Sequence, residues 1–183
     1  VTYATIAGLR HREPLTVVQF AAVPASATLG CASTVAANEI GRRLLQVEGV
    51  ERFISLGACG DISDEAMACE GFILQHAAFL RQSRPADIVG EWGENLAIHL
   101  SIDLSVATAA YVVPNATGVP HGLSLHEVKT FIAVLGAMHR IVSIDLVGLD
   151  MQSESSALSA VIACHLALAA MSAAHDRPAA GNG

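Results

Sequence analysis

The sequence predicts an α/β domain of three layers, with helices on both faces of a mostly parallel sheet. Three observations lead there. Short β-type runs alternate along the chain with longer helical stretches, the order that parallel strands joined by crossover helices require. Several of these runs carry apolar residues on both faces, as strands covered on both sides must. Hydrophobic residues make up 52% of the 183 residues against 15% charged, which supplies a core and excludes a disordered chain.

The candidate strands are Leu15 to Phe20, Val50 to Leu56, Phe72 to His76, Ala97 to Ile102 and Arg140 to Val147. Helices are predicted between them. Ala36 to Val47 comes after polar Ser33-Thr34 and carries Arg42 and Arg43 late, where the macrodipole favours cations. Ser124 to Met138 opens with Ser124 three residues before Glu127, the spacing of a capping box. Ser153 to Met171 is the last and most apolar helix. The stretch from Ala157 to Ala174 is interrupted by Ser159, Cys164, His165 and Ser172, so it reads as a buried helix and not as a membrane span. Residues 1–175 are expected to form one domain, and the Pro/Gly/Ala-rich residues 176–183 a flexible tail. The one long irregular stretch runs from Asp103 to Leu123, and irregular segments of that length inside a domain are usually functional.

Charge narrows the partners. Ten Lys and Arg stand against 17 Asp and Glu for a net charge of −7, with no basic block to meet phosphates, so nucleic acid is not expected. Few charges on an apolar chain leave apolar surface uncovered, which predicts an oligomer. Cys31, Cys59, Cys69 and Cys164 show no CxxC spacing, so neither a zinc knuckle nor a disulfide scaffold is indicated and a reducing cytoplasm fits. The opening Val1-Thr2-Tyr3 shows no basic-then-apolar leader and reads as a processed or truncated start.

Ile98-His99-Leu100-Ser101-Ile102-Asp103, with Pro114-Asn115-Ala116-Thr117-Gly118-Val119-Pro120-His121-Gly122-Leu123-Ser124 after it, resembles a known strand and loop signature. It is that of the ureohydrolases, the arginase and agmatinase superfamily, which reads hLSxDxDxxDP and then PxTGTPxxGGLS/T. Glu127 falls on the Glu that opens the family's next helix. Val1 to Leu9 is similar to the segment just after the family's GGxHS motif, Val50 to Gly57 to its VxxxVQIGIR strand, and Ile141 to Val147 to its VGxDxVEVxP strand. The resemblance covers almost the whole chain and implies a truncated arginase-like fold, with Leu15 to Phe20, Ala97 to Ile102 and Arg140 to Val147 near the centre of the sheet.

The resemblance also implies a chemistry: hydrolysis of a guanidinium C–N bond by water bridging two manganese ions. The residues here depart from it. The family's DAHxD would begin at Ala21, where this chain reads Ala21-Ala22-Val23-Pro24-Ala25. Asp103 is kept on the later strand, but Ser105 and Thr108 replace the next two Asp. The family's SHA segment falls near Ala36-Ala37 without its His, and the GGxHS element would lie before Val1. Ala58-Cys59-Gly60 stands where the family has an Arg after its QIG strand, and Gly148 where it has the Glu of VEV. One ligand of six cannot hold a dimetal centre, because Ala and Val offer no lone pair.

The candidate site residues are therefore vestigial ones: Asp103 as relic ligand or loop cap, Glu127 as guanidinium clamp or helix cap, and His121 and His126 as a mononuclear site with Asp103 or as solvated loop histidines. Cys59 reads as a nucleophile served by His99 or His121, or as a small buried hydrophobe. His165 reads as a core or interface histidine. No catalytic residue, metal or cofactor is assigned. The expectation is a catalytically silent structural, regulatory or ligand-binding subunit, associating with itself or with an active relative. The alternative is an active hydrolase that binds manganese through other ligands, a missing N-terminal segment or a partner.

Overall fold

The computed structural model describes residues 1–8, 13–22, 37–59, 70–107, 122–149 and 156–175. All five predicted runs form strands: β1 (Leu15–Phe20), β2 (Val50–Ala58), β3 (Phe72–His76), β4 (Ala97–Asp103) and β5 (Arg140–Val147). They make one sheet of order β3-β2-β1-β4-β5 in which every pair is parallel. Every residue of β1 is buried, the polar Thr16 and Gln19 along with its apolar residues, as the central position of the strand requires.

The helices divide between the two faces. Val18, Phe20, Ile54, Leu56, Leu100 and Ile102 point to one side and pack with residues of α3 (Ala77–Gln82), α4 (Pro85–Gly90), α5 (Leu125–Met138) and α6 (Ser156–His175). Leu15, Val17 and Phe53 point to the other, where Ile6 of α1 (Thr2–Gly8) and Leu44 of α2 (Ala37–Leu45) cover them. The expected three layers are present.

Towards the strand ends this second face turns polar. Register sets Ser55, Gln19, Ser101 and Asp145 in one row across β2, β1, β4 and β5, all buried. Thr2 of α1 closes it from above, its Oγ1 lying 3.2 Å from Ser101 Oγ. His99, fully buried, meets Ser143 Oγ at 2.7 Å through Nδ1 and Asp145 Oδ2 at 3.2 Å through Nε2. Burial works to raise the Asp145 carboxyl, but hydrogen bonds from His99, Ser101 and Thr2 outweigh it and hold the group below its ordinary range.

Two expectations are corrected here. Arg140 to Val147 lies at the edge of the sheet and not near its centre, because β4 is its sole strand neighbour among the described residues. The helix read as buried is buried on one side only. Ser159, Ile162, Ala163, Leu166 and Ala170 of α6 face α5 and β5, whereas Leu158, Val161, Leu168 and Met171 are each more than half exposed. The cause is β5's position: a helix laid over an edge strand finds support on one side. Ala157–His175 is by length and composition apolar enough to cross a membrane, with mean hydropathy 1.9, yet its inner face is committed to the core. His165 stands on the outer face, exposed, and is not a core residue.

Helices α5 and α6 approach closely at Gly136, where an added Cβ would run into the carbonyl oxygen of Ala173. Gly136→Ala gains helix propensity of about 1 kcal/mol. Overpacking at a backbone contact costs roughly 1–3 kcal/mol, so the crossing decides the sign. The expected outcome is a lower midpoint in urea denaturation; an unchanged or higher midpoint would show that the two helices separate freely.

Candidate functional site

Open parallel sheets bind ligands in the crevice beyond the carboxyl ends of the strands, where the strand order reverses. Here the chain winds outward from β1 through β2 to β3, and on the other side through β4 to β5, so that point lies between β1 and β4. Phe20 and Ile102 are register partners, so the two strands end level with each other.

β1 runs out into Ala21 and Ala22, both buried. The Ala21 N–H donates to the Leu56 carbonyl at 3.0 Å, and the Ala22 carbonyl accepts from the Cys59 N–H at 2.8 Å. The Ala22 N–H donates to Ser105 Oγ at 3.3 Å. From the end of β4, Asp103 Oδ1 accepts from the Ser105 N–H at 2.8 Å and caps the 3₁₀ turn Leu104–Val106. Burial pushes the Asp103 carboxyl above its usual range, against the opposing hydrogen bonds from Ser105. Gly148, just past β5, has φ +83°, and a Cβ there would lie 2.5 Å from Asp103 Oδ1. A side chain at that position would both strain the backbone and displace the carboxylate.

The start of α5 forms the next wall. Leu123 bridges Ala107, and its N–H donates to the Val106 carbonyl at 2.8 Å. Ser124 and Glu127 form the capping box: the Glu127 N–H donates to Ser124 Oγ at 3.2 Å, and the Ser124 N–H donates to Glu127 Oε2 at 2.6 Å. Arg81 reaches in from α3. It donates to the Gly122 carbonyl, and its Nε lies 3.7 Å from Glu127 Oε1, both side chains being about one-third exposed. Burial works to raise the Glu127 carboxyl, but the Ser124 hydrogen bonds and the charges of Arg81 and His126 hold it low. Half-buried Cys59 donates its thiol to the Gly57 carbonyl at 3.5 Å, and burial pushes that thiol up against the pull of Arg81. It is a thiol and not a thiolate at neutral pH, which makes it a poor nucleophile.

The Arginase family model matches residues 1–173 of this chain. The chain belongs to the arginase family. Solved structures agree at the level of fold. Formimidoylglutamase from Bacillus subtilis superposes with a TM-score of 0.77 at 19% identity, over 97% of this chain and 59% of that one. A hypothetical agmatinase from Burkholderia thailandensis gives 0.74 at 16% identity, over 94% and 55%. An arginase-like protein from T. brucei gives 0.67 at 17% identity, over 99% and 60%. No curated protein sequence matches. The chain thus spans between half and two-thirds of the length of these structures.

The fold brings some of the expected residues together. Ala21, Ala22, Asp103 and Ser105 share one corner, and the backbone from Leu123 ties Glu127's helix to the turn after Asp103. His126 is exposed on the first turn of α5, and His121 lies outside the described residues, as do Val23, Ala25 and Thr108. Among the described residues no three His, Cys, Asp or Glu side chains gather into a metal-binding group. His99 is no base for Cys59, because both ring nitrogens are engaged on β5. Arg81, which touches Gly122 and Glu127 at once, is the residue that sequence reasoning missed. Its only signal was a cation in the last turn of a six-residue helix.

An Asp with a raised carboxyl pKa is penalised for its charge in the folded state. From the unfolded pKa up to the folded one, the folded chain holds more protons, so stability falls as pH rises through that window. Asp103→Asn keeps an oxygen for the Ser105 N–H and removes the charge. The variant is expected to melt at or above the parent temperature at neutral pH, with the gap closing in acid. A variant that melts several degrees lower at neutral pH would show that the charge itself holds the corner.

Proposed function

We propose that this arginase-family domain is catalytically silent and serves as a structural, regulatory or ligand-binding subunit. The observation that carries the reading is the end of β1, where the crevice meets Ala21 and Ala22 and not carboxylates. Hard divalent ions need several oxygen or imidazole donors converging on one point. Methyl groups supply none, Val23 and Ala25 continue the deficit in the sequence, and Ser105 is a neutral donor already accepting the Ala22 N–H. Asp103 spends one oxygen on the Ser105 N–H. This donor set does not fit a pair of manganese ions, and no hydrolytic step is derived through them.

Association supports a subunit role. The outer face of α6 exposes Leu158, Val161, Leu168 and Met171, and the helix contains no Asp, Glu, Lys or Arg. Contiguous apolar surface of this kind marks interfaces. A reducing, cytoplasmic setting suits the exposed Cys164 thiol.

The reading is tested by metal analysis of protein purified with manganese present, alongside urea release from arginine and from agmatine. Substoichiometric metal and no urea above the uncatalysed rate are expected. Near-stoichiometric manganese with measurable urea would overturn the reading and favour a site assembled from other ligands. Restoring a single donor with Ala21→Asp is expected to recover neither, and to lower stability by about 1–3 kcal/mol through an unpaired buried carboxylate.

A further inference from the structure

Glu127 is a partly exposed carboxylate on the wall of the crevice, and a cationic ligand entering there would seek it. Its two oxygens are not open. Oε2 accepts the Ser124 N–H at 2.6 Å, and Oε1 faces the Arg81 guanidinium, whose Nε is 3.7 Å away. Arg81 is held from a second side by its hydrogen bond to the Gly122 carbonyl. A guanidinium recognises a carboxylate best through two parallel N–H···O bonds, and this carboxylate has no free pair of oxygens. A second cation at Oε1 would also stand within a few ångströms of Arg81's charge, the range in which like charges disfavour each other.

We infer that Arg81 is a tethered surrogate ligand: the chain's own guanidinium fills the cation subsite at Glu127 and excludes free guanidino compounds from it. The inference rests on reading this crevice as the family's cleft, and it adds that exclusion there is steric and electrostatic as well as a matter of missing metal. A tethered group competes at an effective concentration in the millimolar range or above, so a free ligand at micromolar levels loses to it. Arg81 and Glu127 are each about one-third exposed, so an external ion can reach the position once the tether is gone.

The test removes the tether and supplies the ion from solution. Arg81→Met keeps the length of the stem and discards the guanidinium. Methylguanidinium binding is followed by calorimetry and by the shift in melting temperature, for the parent, Arg81→Met, Arg81→Lys and the double variant Arg81→Met with Glu127→Gln. Circular dichroism establishes that each variant is folded. Binding to Arg81→Met at least tenfold tighter than to the parent is expected. The gain should be absent in Arg81→Lys, which keeps a cation, and lost in the double variant, with methylammonium a weaker ligand throughout. A parent that binds methylguanidinium as well as Arg81→Met does, or a folded Arg81→Met that gains nothing, overturns the inference. Neither outcome touches the absence of turnover, which the urea and metal measurements decide separately.

Discussion

The level pairing of β1 with β4 is the constraint on which the rest of the crevice depends. Phe20 sits opposite Ile102, so the residues just beyond each strand emerge side by side at the point where the strand order reverses. A one-residue slip would turn every buried side chain of β1 to the opposite layer and carry Gln19 out of its polar row into the apolar face, so polarity as well as packing fixes the alignment. Given that alignment, Ala22 reaches Ser105, Asp103 folds back onto the turn it caps, and Leu123 is drawn to Ala107. Ser105 and Asp103 at the crevice are each held by a hydrogen bond to a backbone N–H.

Beneath α1 the sheet behaves differently. The row Ser55, Gln19, Ser101 and Asp145 is a band of buried polar side chains inside a largely apolar fold. Thr2, Ser101, His99 and Ser143 give the Asp145 carboxylate and its neighbours hydrogen-bond partners, which a seven-residue helix packed on apolar surface alone would not provide. Short helices are marginal by themselves. Polar contacts of fixed geometry specify where this one sits, and Ile6 adds the apolar anchor.

The strands were legible as short runs rich in apolar and β-branched residues between helical stretches, and their bounds track the sequence closely. The capping box at Ser124 and Glu127 was legible because it is a contact between residues three apart. Other features were not. Helices α1, α3 and α4 are six or seven residues long, too short for a 3.6-residue period to show. The edge position of β5 depends on which strands lie beside it, and β5's own residues do not record that. Arg81's place against Glu127 is set by how the β3–α3 unit stands relative to α5, a tertiary relation with no local signature. At the site, Ala21 and Ala22 after β1 were legible residue by residue, whereas the cation that faces Glu127 is visible only in three dimensions.

The outer side of α6 carries no formal charge. The chain's net charge of −7 lies outside this helix, whose outer face has only hydration to keep it apart from other copies. Low ionic strength lengthens the reach of the chain's net charge and favours dispersion. Sulfate and other strongly hydrated salts strengthen apolar association while screening that charge. Such a chain would salt out early and redissolve on dilution, an ordering set by a single helix that carries no formal charge between its first and last turn.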